Sequence, residues 1–465
     1  MRHTKIICTL GPKTESEDML KKLVEAGMNI VRINMSHGEH HWHSLVMDRV
    51  RKISRNLQFP VGIMLDTQGP EIRTSANTEM GLKEGEIFKI YVGSAADFDE
   101  REKHTVINYD NLAKKVKKGS AILIDNGLIA LEVLEVYDNV VTCRVLNGGN
   151  LGKRKSVSIP GIKTDLPAMT SKDEKDIKLG VEHRIDYVAQ SFVRRKEDVK
   201  KMREFLKSCG SNAMIIAKIE DQEGVDNIDE IIAESDGIMV ARGDLGVQIP
   251  FEEIPIVQMQ IVRKCISVGK PVIIATQLLE SMLTNPRPTR AEVTDIATAV
   301  IEKADCIMLS GETTKGDYPI ECVLTMDKVA RSVQRKLKFS TSSSIKTTDV
   351  KESITLGACI NAQNLDAKAI IAFSKTGRLL SLVTKNRPNI DIFVFTDNEE
   401  VRRKMIIHHG AFPFKIKFRN FDIMMRDAVK ILKKNKLISS GDRVVTVSDI
   451  TPHKNVDVME IREID

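Results

Sequence analysis

The chain has 465 residues, 42% hydrophobic and 29% charged, enough apolar material for several cores under a soluble surface, and no run reaches membrane-spanning length. A net charge of +6, 4% aromatic residues and the absence of a nucleic-acid motif argue against nucleic-acid binding, so basic clusters such as Lys114-Lys115 and Lys153-Arg154-Lys155 read as solvated surface, with a few suited to small phosphorylated ligands. Seven cysteines without a C-x-x-C pair suggest reduced thiols in the cytosol and neither a disulfide framework nor a zinc cluster, and residues 1–14, broken by Gly11-Pro12-Lys13, lack a secretory pattern, so a cytoplasmic location is the expectation.

In chain order, short branched apolar runs fall near residues 4–8, 28–33, 61–65, 186–190, 214–218, 237–241, 271–275 and 305–309, each followed by a polar cluster and a helical pattern. Eight strands alternating with helices predict a closed parallel (β/α)8 barrel. Its strand tips would then carry Arg32 and Asn34, Asp66, Lys218 and Glu220, Asp244, Thr276 and Ser310 around one mouth. Between the third and fourth runs about a hundred extra residues are lodged, near 70–167, with β patterns at 87–92, 121–124, 128–133 and 140–145 and a turn at Asp125-Asn126-Gly127. An all-β domain hung there on two chain crossings would act as a lid. A serine-rich stretch at 340–344, continued by 346–351, reads as a linker, and runs at 369–373, 392–395 and 444–447 predict a small C-terminal α/β domain. The expected division is 1–69 with 168–339 for the barrel, 70–167 for a β-barrel lid, and 350–465 for the last domain.

Residues two apart on a strand share a face, so Lys218 and Glu220 project together with Asp244 beside them. Two carboxylates suit a hard divalent cation, and a lysine steadies negative charge on a transferred group. Alone, Lys-x-Glu reads as a salt-bridged strand end; repetition of polar tips in one phase argues against that for the set. His37, His40, His41 and His43 open a helix without the Glu of H-E-x-x-H and read as a solvated or partly packed face. Gly148-Gly149-Asn150-Leu151-Gly152-Lys153 fails as a P-loop, since its lysine is misplaced and no helix follows. Ser374-Lys375-Thr376-Gly377-Arg378 follows a strand and opens a helix, which reads equally as a phosphate cradle and as an ordinary capped helix start.

Several motifs resemble those of pyruvate kinases: residues 4–12 (TKIICTLGP), 32–38 (RINMSHG), 65–73 (LDTQGPEIR), 218–220 (KIE), 239–246 (MVARGDLG), 285–292 (NPRPTRAE) and 310–312 (SGE), in the family's order. The resemblance implies phosphoryl transfer from phosphoenolpyruvate to ADP. By similarity, Glu220 and Asp244 bind Mg²⁺ (or Mn²⁺), Lys218 stabilises the migrating group, Arg32 holds the substrate phosphate, and Gly243 and Asp244 offer backbone N–H groups to its carboxylate. Thr276 lies near the carbon that is protonated, with Ser310 and Glu312 in a proton relay. Asn34, Ser36, His37, Arg73 and Lys155 reach the nucleotide, and Asn34, Ser36, Asp66 and Thr67 match a K⁺ site, with Glu71 implying dependence on K⁺. The family implies a homotetramer with Arg290 near subunit contacts, and an effector phosphate at Ser374, Lys375, Thr376, Gly377 and Arg378. The family's glycine-rich loop near the C-terminus is replaced by residues 449–454, so a sugar monophosphate, a nucleotide or no effector stays open. A metal-dependent lyase or aldolase would have no use for Arg73, Lys155 and a cation cage, and a binding-only regulator would have lost a ligand or Lys218.

Overall fold

The computed structural model describes residues 1–75, 79–93, 102–337, 347, 349–449 and 458–465. Eight strands close a parallel barrel: β1 (Lys5–Thr9), β2 (Ile30–Asn34), β3 (Gly62–Asp66), β4 (Tyr187–Gln190), β5 (Met214–Ile219), β6 (Gly237–Ala241), β7 (Val272–Ala275) and β8 (Cys306–Leu309). Each pairs with its neighbours in sequence and β8 returns to β1, Lys5 lying opposite Cys306. Both faces of every strand are covered, which is why the runs are continuously apolar and not alternating. Helices such as Glu17–Ala26, His40–Ser54 and Lys196–Ser208 turn an apolar face to the outside of the barrel, where Leu20, Leu23, Val46, Val50, Val199 and Met202 are buried.

Inside the barrel, Ile7, Ile30, Met64, Tyr187, Ile216, Met239 and Ile273 pack with two residues from far along the chain, Ile406 and Ile407. These belong to the 3₁₀ turn Met405–Ile407 of the C-terminal unit, which plugs the base of the barrel. The Tyr187 hydroxyl donates to the Arg403 and Lys404 carbonyls, and the buried Lys5 ammonium donates to the Ala411 carbonyl at 2.6 Å and lies over the Phe412 ring.

The insert carries a mixed sheet in the order Val157–Ser158, Ala121–Ile124, Ile129–Tyr137, Val140–Asn147, Ile87–Val92, His104–Ile107, with the separate pair Met80–Leu82 and Gly149–Leu151. The entering chain reaches both edges of the larger sheet, since Arg73 bridges Ser156 and Thr74 bridges Ile107. One helical turn, Leu112–Lys115, interrupts the β pattern. At the junction with the barrel, Gly69 N–H donates to Asp173 Oδ1 at 3.1 Å, clipping the chain that leaves the barrel to the helix that re-enters it.

The C-terminal unit is a five-stranded sheet in the order Ala411–Lys415, Asp391–Thr396, Ala369–Phe373, Arg443–Ser448, Val458–Glu463, the last strand antiparallel. The sequence pattern missed both edges: Pro413 interrupts one, and the other alternates between half-buried and exposed residues. The expected linker at 340–344 lies outside the described residues, and Lys351 belongs to helix Val350–Asn364. Of the substituted loop, 450–454 also lies outside them.

Candidate active site

Three adjacent strand tips, β3, β4 and β5, build the centre of the mouth. Lys218 Nζ lies 3.1 Å from Asp66 Oδ1, 2.9 Å from Glu220 Oε1 and 2.6 Å from Ser191 Oγ. Arg32 donates from Nε to Asp66 Oδ2 at 2.5 Å and from Nη1 to Thr9 Oγ1 at 3.0 Å. Glu220 Oε2 accepts the backbone N–H of Phe192 at 2.6 Å. Asp66, Thr67, Lys218 and Glu220 are all buried. Burial alone would push Asp66 toward its neutral form, but Arg32 and Lys218 outweigh it and hold the carboxyl below its ordinary pKa. Burial likewise opposes charge on Lys218, and Asp66 and Glu220 overcome it, so the ammonium titrates above the ordinary lysine value. Glu220 is raised, first by burial and then by Asp244, against the pull of Lys218.

Asp244 faces the same cavity as Glu220 and its carboxylate has no hydrogen bond or ion pair among the described residues. Its side chain is open to the mouth, yet enough protein surrounds it that desolvation and the nearby Glu71 and Asp66 raise its pKa. An unpartnered carboxylate beside a buried second one is an electrostatically incomplete pair, which is the donor set a divalent cation completes. No group of three or more His, Cys, Asp or Glu residues capable of holding a metal occurs among the described residues. Two carboxylates with the remaining positions left to substrate oxygens and water suit an ion that keeps part of its hydration shell.

On the far side, Thr276 and Gln277 adopt left-handed backbone, φ 70° and 56°, at the β7 tip. Arg242 donates to the Thr276 carbonyl at 2.7 Å and pairs with Asp295 at 2.6 Å, while Gly243 N–H donates to Thr276 Oγ1 at 2.8 Å. The Gly243 amide expected to meet substrate thus already has a partner. At the β8 tip, Glu312 is fully buried and accepts the N–H groups of Ser310 and Leu279. Burial raises its pKa, and Ser310 Oγ has no hydrogen-bond partner among the described residues.

Between barrel and insert lies a cleft of about 1190 Å³ whose walls include Ser36, His37, Glu71, Arg73, Arg154 and Lys172. Arg73 pairs with Glu71 at 2.5 Å. Lys155 is drawn to Asp125 at 2.8 Å, and its neighbour Arg154 takes the place on the cleft wall. Asn34 Oδ1 accepts the Ser36 N–H at 3.2 Å, and Asn34 lies opposite Asp66 in the β2–β3 register. Of the histidine group, His37 lines the cleft, His40 pairs with Asp176, His41 is exposed and His43 is buried. At the remote segment, Gly377 sits at φ 90° and caps helix Arg378–Lys385, its N–H donating to the buried Ser374 hydroxyl. Lys375, Thr376 and Arg378 are exposed.

Sequence reasoning missed Ser191 and the Phe192 amide. They follow Gln190 at the β4 tip without a charge or a motif, and the only available signal was position: a hydroxyl at the end of the one strand between the Asp66 and Lys218 tips.

Fold and site together define a phosphotransferase built on a (β/α)8 barrel. The family model "Pyruvate kinase, barrel domain" matches residues 1–323, and "Pyruvate kinase, alpha/beta domain" matches 352–462. The chain is 43% identical over 460 residues to the pyruvate kinase of Sporosarcina psychrophila and 42% identical over 457 residues to that of Staphylococcus epidermidis, covering 97% of this chain and 78% of each relative. The crystal structure of a pyruvate kinase from Cryptosporidium parvum superposes with a TM-score of 0.94 at 37% identity, covering 100% of this chain and 96% of that one. The chain belongs to the pyruvate kinase family: it transfers the phosphoryl group of phosphoenolpyruvate to ADP, giving pyruvate and ATP in glycolysis, and works with a divalent metal ion. No helix among the described residues is long and apolar enough to cross a membrane.

Proposed function

We propose that the reaction is carried by the β2 to β8 tips with the following roles. Glu220 and Asp244 hold the divalent ion, Mg²⁺ or Mn²⁺, which when bound supplies positive charge to substrate and phosphoryl oxygens. Lys218 stabilises the negative charge of the phosphoryl group in transit. The single observation that carries this reading is the position of its ammonium, buried between Asp66 and Glu220 beside an unpartnered Asp244. Already desolvated and held by three partners, it needs no reorganisation when charge develops.

Arg32 holds the phosphate of phosphoenolpyruvate from its seat on Asp66. The substrate carboxylate takes the Gly243 and Asp244 amides, displacing the Thr276 hydroxyl from the first and freeing it toward the carbon that gains a proton. Ser310 and Glu312 serve the proton relay; the raised pKa of Glu312 and the unpartnered Ser310 hydroxyl support that role. Asn34, Ser36, His37 and Arg73 meet the nucleotide in the cleft, and Lys155 joins them by leaving Asp125. Asn34, Ser36, Asp66 and Thr67 form an all-oxygen cage for K⁺, and Glu71, with no ammonium in its place, makes activity depend on that ion. Residues 70–167 act as a lid over the barrel of 1–69 and 168–339, and 350–465 form the effector-type domain. Its phosphate cradle is Ser374 to Arg378, a helix start where exposed Lys375, Thr376 and Arg378 side chains suit an anion. The assembly is a homotetramer in the cytoplasm.

Pyruvate formation from phosphoenolpyruvate and ADP, measured with and without Mg²⁺ and with K⁺ replaced by tetramethylammonium, tests the reading. Turnover independent of the divalent ion refutes the Glu220–Asp244 assignment, and equal rates in the two monovalent salts refute the cage.

A further inference from the structure

In barrel order, β4 stands between β3, which carries Asp66 and Thr67, and β5, which carries Lys218. The residue just past its end, Ser191, is 2% exposed and reaches both neighbours. Its hydroxyl has one proton. The Thr67 carbonyl at 2.7 Å takes it, Asp66 Oδ1 at 3.4 Å being the longer contact. The oxygen lone pair then faces Lys218 Nζ, which donates to it at 2.6 Å. Two further bonds fix the frame: Ser191 N–H donates to Thr67 Oγ1 at 3.1 Å, and Thr67 N–H donates to the Ala189 carbonyl at 3.0 Å. Overhead, Gly69 leaves room for this arrangement, since a Cβ there would stand 2.9 Å from Ser191 Cβ.

We infer that Ser191 is a positioning residue whose hydroxyl sets the Lys218 ammonium against Asp66 and the Thr67 carbonyl, tying order in the monovalent-cation cage to the charge presented to the phosphoryl group. The inference rests on the cage and Lys218 roles given above. Asp66 and Thr67 are oxygen donors of the cage; Asp66 meets the lysine directly, and Ser191 joins Thr67 to it. Without its hydroxyl, Lys218 keeps its two carboxylates but loses the neutral partner that fixes its position between them. The Thr67 carbonyl is likewise released.

Ser191→Ala removes one oxygen and little volume, so the fold should persist. Hydrogen bonds to charged groups contribute enough that kcat should fall roughly 10- to 100-fold, with KM for phosphoenolpyruvate and ADP changed by less than about threefold. Two further readouts need no turnover. In substrate-free protein, thermal unfolding is followed against KCl, with tetramethylammonium chloride keeping ionic strength constant; the K⁺ concentration giving half the stabilisation should rise about tenfold in the variant. Acylation of Lys218 by acetic anhydride, followed by mass spectrometry of the folded protein, should be faster in the variant. A kcat within twofold of wild type, or unchanged Lys218 labelling, overturns the hold on the lysine; an unchanged K⁺ midpoint overturns the tie to the cage. Wild-type protein indifferent to K⁺ would break the cage reading itself, while kcat and labelling still decide the hold on Lys218.

Discussion

The two ends of the barrel share one apolar interior but treat charge in opposite ways. At the base, Asp186 accepts from Arg51, Arg403 and the Ile63 N–H, and Asp305 accepts from Arg387 and the N–H groups of Val272 and His409. Those bonds, with Ile406 and Ile407 filling the opening, fasten the C-terminal unit in place. At the mouth, Asp244 has no hydrogen bond or ion pair among the described residues, Glu220 is pushed toward neutrality, and Thr276 is held in strained backbone. One end uses its charges for cohesion; the other keeps the Asp244 carboxylate, which on the proposed reading awaits a ligand, unpaired among the described residues. In a parallel barrel this asymmetry separates stability from chemistry along a single axis.

Substitutions at the two ends should therefore fail in different ways. Lys218→Met should reduce kcat by on the order of 10³-fold, about 4 kcal/mol in activation free energy. Its unfolding midpoint should move less than that of a base variant, because Asp66 keeps Arg32 and Glu220 keeps the Phe192 amide. A near-wild-type kcat would break the comparison at the mouth. Asp305→Ala at the base should do the converse. Stranding the buried Arg387 costs about 4 kcal/mol in urea unfolding, while kcat per folded molecule changes little. A stable but inactive Asp305→Ala protein would show that the ends are not separable.

Acid should attack the base through His408, whose pKa burial depresses to about 4, the neighbouring Asp305 opposing and Arg387 and Lys5 assisting. The unfolded chain protonates near the ordinary histidine value and the folded chain near 4, so this group's contribution is present above pH 6.5 and is lost as pH falls through that window. The full loss is about 3 kcal/mol. Urea midpoints at pH 6.8 and 5.0 should differ more in wild type than in His408→Gln; equal differences would remove His408 from the explanation. The smallest expected change in stability has the opposite sign. Asp244→Asn relieves repulsion at the mouth and should raise the unfolding midpoint slightly while abolishing metal-supported turnover, and a lowered midpoint would mean that Asp244 is satisfied in the resting enzyme.

The eight barrel strands were legible because burial on both faces writes continuous apolar runs, and charged residues at their ends marked the mouth. Ser191 escaped because, unlike Thr276 and Ser310, it belongs to no motif that singles it out, and its partners Thr67 and Lys218 come from separate strands. So did the side chain of Lys155: the family resemblance assigns it to the nucleotide, but only the fold shows that Asp125 lies within its reach. The bond from Gly243 to Thr276 joins residues just past the ends of two strands, one of them in a left-handed turn that no period announces. The plug escaped notice because three apolar residues after a short helix look like its last turn, and its meaning depends on a barrel several hundred residues upstream. Closure of the insert by Arg73 and Thr74 rests on single-residue bridges, too short to show alternation.

The clip between Gly69 and Asp173 has a consequence for how this architecture tolerates change. Residues separated by about a hundred positions are stitched into one stalk at the barrel rim, so the two chain passages stay side by side whatever length of chain runs between them. Changes in length beyond that stitch should therefore leave the barrel strands folded, which makes the stalk the natural seam of this architecture.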